Sequence, residues 1–382
     1  MTSLRFSYDG TEYTGRDGDT LAAALLRNGV PHVGRSQYRD RPRGIVTAGV
    51  EEPNALVQIE GPRSEPMRLA TMVELYDGLS ATSISGRGRL DPVARESAHD
   101  KKYVHADVLI VGGGPAGLAA ALASGRSGAR VVLVDDQPEL GGALLSGHET
   151  IDGRPAGEWV SGIREELAAT PETRILSHST AIGYHDQNYV LVVERRPHGE
   201  RLWHVRARQV VLATGAHERP MVFAGNDRPG VMSAAAVRTY VNRYAVLPGR
   251  RAVVLTTDDS AYATALDLMA AGVAVRALVD TRPEPPARLL EAARTAGITV
   301  VPGSAVVGTR GEQRISAVRI ATLAAGDEKL VGPVRELECD LLAVSGGWNP
   351  AVQLWSQAQG TVRYDEALAA FVPERCAQQV AA

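Results

Sequence analysis

Six consecutive residues, Gly112-Gly113-Gly114-Pro115-Ala116-Gly117, carry the most specific chemistry in the chain. They follow an apolar run at 106–111 and open an alanine-rich stretch at 116–124; a second apolar run, Val131-Val132-Leu133-Val134, ends in Asp135-Asp136. Strand, G-x-G-x-x-G, helix, strand and acid in that order make a βαβ dinucleotide fingerprint. Gly112 permits the tight turn out of the strand, Gly114 lets the backbone approach a pyrophosphate, and Gly117 lets the helix pack close to the sheet. Pro115 and Ala116 stand at the helix N-terminus, whose free N–H groups and positive dipole end favour phosphate. Asp135 is placed to accept a hydrogen bond from a ribose 2′-hydroxyl, and its charge disfavours a 2′-phosphate. NAD and FAD present the same adenosine ribose, so these residues leave the two open.

Further residues are expected at the same site. Asp136 follows the acid, and Gly141-Gly142 permit the next loop to approach a dinucleotide closely. The buried run at 209–213 returns to the first sheet and ends in Thr214-Gly215, a turn that lies beside the dinucleotide in flavoproteins with two dinucleotide-binding domains. Arg35, Arg39, Arg41 and Arg43 share one loop near the N-terminus, and Arg43 is taken as a candidate for the cofactor phosphates. A solvated basic loop, or a contact to the acidic face of a partner, accounts for the same arginines.

Catalytic residues are left unassigned. There is no Ser/His/Asp order and no metal-ligand spacing, so no metal site is expected. The two cysteines, Cys339 and Cys376, lie too far apart for a C-x-x-C redox pair. His217, beside the Thr-Gly turn, is the best-placed titratable group, either tuning a flavin or simply bonded to backbone.

A second βαβ begins at Arg251 and ends its second strand at Asp280, but its turn reads Thr256-Thr257-Asp258-Asp259-Ser260-Ala261-Tyr262. Two carboxylates stand where a pyrophosphate would lie, so this unit is expected to keep the fold without the ligand. Asp258 and Asp259 also suit a helix cap. A third buried run, 338–345, leads into Gly346-Gly347.

These elements imply an α/β protein. A small β-grasp, ferredoxin-like domain over 1–95 precedes a linker at 96–104 and a doubly wound FAD/NAD(P)-binding fold. That fold comprises a first Rossmann unit at 105–248 and 331–382 and a nested second Rossmann-like unit at 249–330. In the first domain Asp9-Gly10 is a hairpin turn, and a short helix is expected between an Asp19 cap and Gly29. The loop after that helix, where plant-type ferredoxins carry cluster cysteines, has none. The 382 residues suffice for two or three cores, and a net charge of −3 suggests neither nucleic acid nor an anionic membrane as partner. With no signal-like start, the chain is expected to be soluble and cytoplasmic.

The chain resembles the N-terminal part of the alpha subunit of heterotetrameric sarcosine oxidase along essentially its whole length. The resemblance rests on Arg41-Pro42-Arg43-Gly44, Glu51-Glu52-Pro53-Asn54-Ala55, Glu74-Leu75-Tyr76-Asp77-Gly78, the Gly112 motif, Ala216-His217-Glu218-Arg219-Pro220 and Asp258-Asp259-Ser260-Ala261-Tyr262. It implies non-covalent NAD in the Rossmann unit, with FAD as the alternative. A beta-type flavoprotein subunit that oxidises the amine, an FMN near the interface, and smaller subunits are implied as partners. The family's C-terminal aminomethyltransferase-like half is missing, so folate chemistry is not assigned. A truncated product, acting as a non-catalytic scaffold, or a shorter relative in another amine or opine oxidase complex fits that departure. An FAD-dependent pyridine nucleotide oxidoreductase is the remaining alternative.

Overall fold

Strand Asp100–Val111, helix Pro115–Arg126 and strand Val131–Val134 form the first βαβ of an α/β protein. The computed structural model describes residues 2–61, 64–91, 99–196, 199–324 and 329–382. They fall into two compact units, residues 1–94 with 218–347 and residues 95–217 with 348–382.

The second of these holds the glycine fingerprint. Its main sheet runs Thr173–Leu176, Val131–Val134, Asp100–Val111, Gly199–Leu212, Tyr189–Arg196, Ser179–His185. The first four strands are parallel and the last three, counting the long Gly199–Leu212 in both sets, form an antiparallel meander. Val131–Val134 is buried at every position, as a parallel strand covered on both faces must be. Helix Ala156–Ala169 buries Val160, Ile163 and Leu167, spaced to share one helical face.

The expected linker at 96–104 differs. Residues 96–98 lie outside the described residues, but from Asp100 onward the chain is already strand, paired in parallel with Gly199–Leu212. Its polar start is held by cross-strand charge: Asp100 accepts from Arg201 Nε at 2.7 Å and Nη2 at 2.8 Å, and Lys102 lies over the Trp203 ring. These pairs hide the strand from a reading based on apolar periodicity.

The other unit contains the ferredoxin-like sheet, ordered Thr11–Arg16, Ser3–Tyr8, Leu79–Ser85, Gly34–Arg35, Pro42–Arg43, with Leu56–Glu60 also on Leu79–Ser85. Asp9 and Gly10 both have positive φ, 48° and 76°, as a two-residue hairpin turn of the primed type requires. The helix, Leu21–Arg27, is capped by Thr20 rather than Asp19. Asp19 is instead buried and takes Arg27 Nη2 at 2.7 Å, a stronger charge-assisted use of the carboxylate.

This same unit holds a five-stranded parallel sheet, ordered Val231–Ser233, Leu341–Ser345, Arg251–Thr256, Ala274–Asp280, Val300–Val301, and an antiparallel sheet of Ser304–Arg310, Ala317–Leu323 and Leu330–Glu338. The sequence-based boundaries at 248/249 and 330/331 therefore move. Leu341–Ser345, expected in the first Rossmann unit, pairs from Ala252↔Leu341 to Thr256↔Ser345 in the second sheet. A fully buried apolar run reads the same whichever parallel sheet receives it.

The buried side chains of residues 1–94 are continuous with those of 218–347. Phe6, Leu21 and Leu25 belong to one cluster with Tyr240, Tyr262 and Leu268. Tyr240 donates its hydroxyl to Thr47 O at 2.9 Å, and Arg27 Nη2 donates to Tyr244 O at 2.7 Å. Among the described residues, no helix is long and apolar enough to cross a membrane.

Candidate functional site

At the glycine turn, three glycines are demanded by the protein itself. Gly112 has φ +108°, and a Cβ there would stand 2.1 Å from Ala213 O. A Cβ on Gly117 would lie 1.8 Å from Gly112 O, and one on Gly113 would lie 2.5 Å from Leu140 Cδ2. Gly114 is different. Its φ is an ordinary −73°, and the nearest atom to a Cβ placed on it is Gly142 Cα at 3.9 Å. No fold contact accounts for the missing side chain at Gly114. The open space before it, at the N-terminus of a 12-residue helix, fits a pyrophosphate brought against the backbone.

The donors facing that space are few. Pro115, at the first helical position, has no N–H, and Gly113 N already donates to Asp135 Oδ2. Gly114, Ala116 and Gly117 are the turn residues left with N–H groups to offer an anion. Asp135 follows the second strand as expected, and its carboxylate is engaged within the protein. Its Oδ2 holds the glycine turn, and its Oδ1 accepts from Gln137 N at 2.9 Å. Asp136 Oδ1 receives Gln137 Nε2 at 3.1 Å.

The structure brings the other candidates onto this turn. Gly141 N donates to Gly113 O at 2.8 Å, and a Cβ on Gly142 would lie 2.9 Å from Gly114 Cα. Both have positive φ, +136° and +54°, which suits glycine at this close approach. Ala213 N donates to Val111 O at 2.8 Å, and beyond it Gly215 turns the chain with φ +69°. Thr214 Oγ1 donates to Ala351 O and Ala351 N donates to Gly215 O, both at 2.9 Å. Sequence reasoning missed Gly113, hidden as an unspecified position of the motif, and Ala351, which no local pattern marks.

Arg43 belongs to the other compact unit, where its Nη1 meets Asp227 Oδ2 at 2.7 Å; the same carboxylate pairs with Arg41. His217 stands in the short strand Ala216–Glu218. Cys339 is fully buried, and burial pushes its thiol up to about 12. Among the described residues, no group of three or more His, Cys, Asp or Glu side chains is arranged to hold a metal.

The second turn is closed by its own side chains. Asp280, which ends the second strand, is fully buried and accepts from Tyr262 Oη at 3.0 Å and from Arg282 Nη2 at 2.8 Å. Arg282 also reaches Asp259 Oδ1 at 2.8 Å, and Arg288 meets the other oxygen of Asp259 at 2.9 Å. Asp259 is the N-cap residue and turns its side chain to an ion-pair network, while Asp258 Oδ1 accepts from Ser260 N, the first helical N–H, at 2.7 Å. Nearby, Glu218 Oε2 accepts from Ala235 N at 2.8 Å. Burial pushes the Glu218 carboxyl up to about 7, opposed by the Ala235 N–H and the Ser345 hydroxyl and assisted by the charge of Asp258.

Comparison with known proteins follows this geometry. The family model for pyridine nucleotide-disulphide oxidoreductases matches residues 106–380, and that for the 2Fe-2S iron-sulfur cluster binding domain matches residues 1–86. No cysteine occurs within 1–86, so the residues present do not fit a thiolate-held cluster. The sarcosine oxidase subunit alpha of Corynebacterium sp. strain U-96 is 47% identical over 97% of this chain and 40% of its own length. That of Rhizobium meliloti strain 1021 is 39% identical over 97% of this chain and 42% of its own. The chain thus spans about two fifths of the length of these relatives. In fold, the L-proline dehydrogenase of P. horikoshii matches 99% of this chain and 68% of its own, with a TM-score of 0.73 at 23% identity.

Proposed function

The chain belongs to the pyridine nucleotide-disulphide oxidoreductase family and is homologous to the sarcosine oxidase alpha subunits, and from this premise we propose that it is the dinucleotide-binding, alpha-type subunit of a sarcosine-oxidase-like amine oxidoreductase. It holds NAD at the 112–117 turn and contributes to an FMN-containing interface, while a beta-type flavoprotein partner oxidises the amine. The observation that carries the binding role is Gly114, whose missing side chain no close contact among the described residues explains.

When bound, the dinucleotide supplies a nicotinamide able to exchange hydride. The chain's own residues bind and orient it: Gly114, Ala116 and Gly117 offer N–H groups to the pyrophosphate, and Asp135 takes the ribose hydroxyl while fixing Gly113. A self-sufficient pyridine nucleotide oxidoreductase with bound flavin needs two open dinucleotide turns. The Asp259, Arg282 and Asp280 network occupies the second, which favours the subunit reading.

The test is denaturing release and mass spectrometry of the nucleotide, on the chain purified alone and on its co-expressed complex. NAD from both, with flavin from the complex only, is the expected result. FAD released by the isolated chain would replace NAD in the site. Sarcosine turnover by the isolated chain would overturn the division of labour, and no nucleotide from either preparation would leave a scaffold.

A further inference from the structure

The loop that in the 2Fe-2S family would hold a cluster has become the wall of an open, arginine-lined cavity in this chain. Strand Gly34–Arg35 pairs with Pro42–Arg43 on one side and with Leu79–Ser85 on the other. Between them Ser36 ties the turn shut: its N–H donates to Arg41 O at 2.9 Å, its hydroxyl accepts from Arg41 N at 3.0 Å, and its carbonyl accepts from Asp40 N at 3.1 Å. The loop is packed as well as bonded. A Cβ on Gly34 would lie 2.9 Å from Ile84 O, and one on Gly44 would lie 2.7 Å from Pro229 Cα. A merely solvated basic loop has no need of such closure.

The cavity, of about 450 Å³, is lined by Arg35, Arg39, Arg41, Arg43, Tyr38 and Asn54 among others. Arg41 and Arg43 are two residues apart, so alternation about Pro42 puts both on one face, and Asp227 bridges them. That bridge uses one N–H of each guanidinium and leaves the rest of each fork available. Arg35 Nη1 is held by Asp40 O and Oδ2, both at 2.9 Å. Arg39 makes no ion pair or hydrogen bond among the described residues. Four guanidinium groups against the carboxylates of Asp40 and Asp227 leave an excess of positive charge in one concavity, in a chain whose net charge is −3. Tyr38, 91% exposed, stands at the cavity with an uncovered ring.

We propose that this cavity binds the phosphate groups of a small molecule of the nucleotide class, its aromatic ring stacking on Tyr38. Planar guanidinium forks match phosphate oxygens bidentately, and a cavity of this size lies in the range of small-ligand sites, roughly 300–1,000 Å³. Four arginines converging on one concavity match a compact polyanion, and the peptide arm of the experiment below distinguishes an acidic protein surface. The inference uses residues of one compact unit only and does not depend on what the glycine turn holds.

The experiment is calorimetric titration of the full chain carrying Gly114→Val, which removes the glycine turn as a competing site, with ADP, inorganic pyrophosphate, adenosine and an octaglutamate peptide. ADP is expected to bind, pyrophosphate to bind at least 3-fold more weakly, and adenosine and the peptide not to bind. Adding Arg35→Gln with Arg39→Gln, which spares the Asp227 bridge, is expected to weaken ADP at least 10-fold. Arg39→Lys alone is expected to restore part of that loss, and Tyr38→Ala to erase the margin of ADP over pyrophosphate. Circular dichroism melting of each variant separates loss of the site from loss of the fold. Failure of ADP and pyrophosphate to bind the Gly114→Val chain, or binding indifferent to the arginine changes in a folded protein, would overturn the proposal. Binding of the peptide without pyrophosphate would overturn it equally and assign the cavity to a protein partner.

Discussion

The carboxylate of Asp135 accepts the N–H of Gly113, so the acid that ends the second strand holds the glycine turn from behind. The proposed cofactor contact and the backbone geometry of the turn would then share one side chain. Asp135→Ala is expected to cost about 1–3 kcal/mol of stability, since it strips a part-buried N–H of its acceptor. Asp135→Asn keeps an acceptor but removes the charge, and the ratio of NADP to NAD dissociation constants should fall at least 5-fold. Denaturant unfolding reads the first, and competitive dinucleotide titration reads the second.

Gly114 and Gly117 separate binding from folding. Gly114→Val adds atoms to open space at a helix N-cap, so the apo protein should lose no more than about 1 kcal/mol while dinucleotide binding weakens at least 10-fold. Gly117→Ala places a methyl against Gly112 O and should destabilise its unit by about 3 kcal/mol or more. Melting curves with quantified nucleotide release distinguish the two. Equal loss of fold in both variants would remove the special standing of Gly114.

The geometry of the glycine turn was legible because each glycine obeys a local rule: strand, turn and helix lie within one short stretch of chain. The hairpin at Asp9-Gly10 was legible for the same reason. What could not be read is what depends on distant partners. Asp100–Val111 begins among charged residues whose strand character comes from Arg201 and Trp203, a hundred residues away. Leu341–Ser345 is apolar throughout, and nothing local says that its neighbours are Arg251–Thr256 and Val231–Ser233. Arg43 was taken as a candidate for the cofactor phosphates by its charge, and its ion pair with Asp227 is a long-range contact that no motif announces.

Glu218 should make stability depend on pH. Its carboxyl, ordinarily near 4.5, is pushed up to about 7 in the fold, so the native state holds a proton that the unfolded chain releases. The favourable contribution is complete below pH of about 4.5 and is lost as pH rises through about 7. Glu218→Gln should flatten this dependence and exceed the parent in stability at pH 8 by on the order of 2 kcal/mol. Denaturant midpoints measured from pH 5 to pH 8 check it; parallel curves for the two proteins would refute it.

Arg282→Leu should expose the cost of the closed second turn. Asp280 remains fully buried with Tyr262 and a backbone N–H but without its guanidinium, a loss of about 3 kcal/mol. Adding Asp280→Asn removes the stranded charge and should recover part of that stability. Dinucleotide content should stay unchanged throughout, and a gain of nucleotide in either variant would show that the network had been masking a working site.

The shared core of residues 1–94 and 218–347 has a consequence for synthesis on the ribosome. Residues 1–94 emerge with their part of the cluster, Phe6, Leu21 and Leu25 among it, still lacking Tyr240 and Tyr262, which come only after the whole stretch 95–217. At about 5–20 residues per second, a gap of roughly 150 residues is a wait of roughly 7–30 s. The inserted stretch has time to lay down its own sheet meanwhile, except for the strand Val380–Ala381, which arrives last. A nascent-chain holdase that shields the first 94 residues should therefore raise the yield of this protein more than one acting after release.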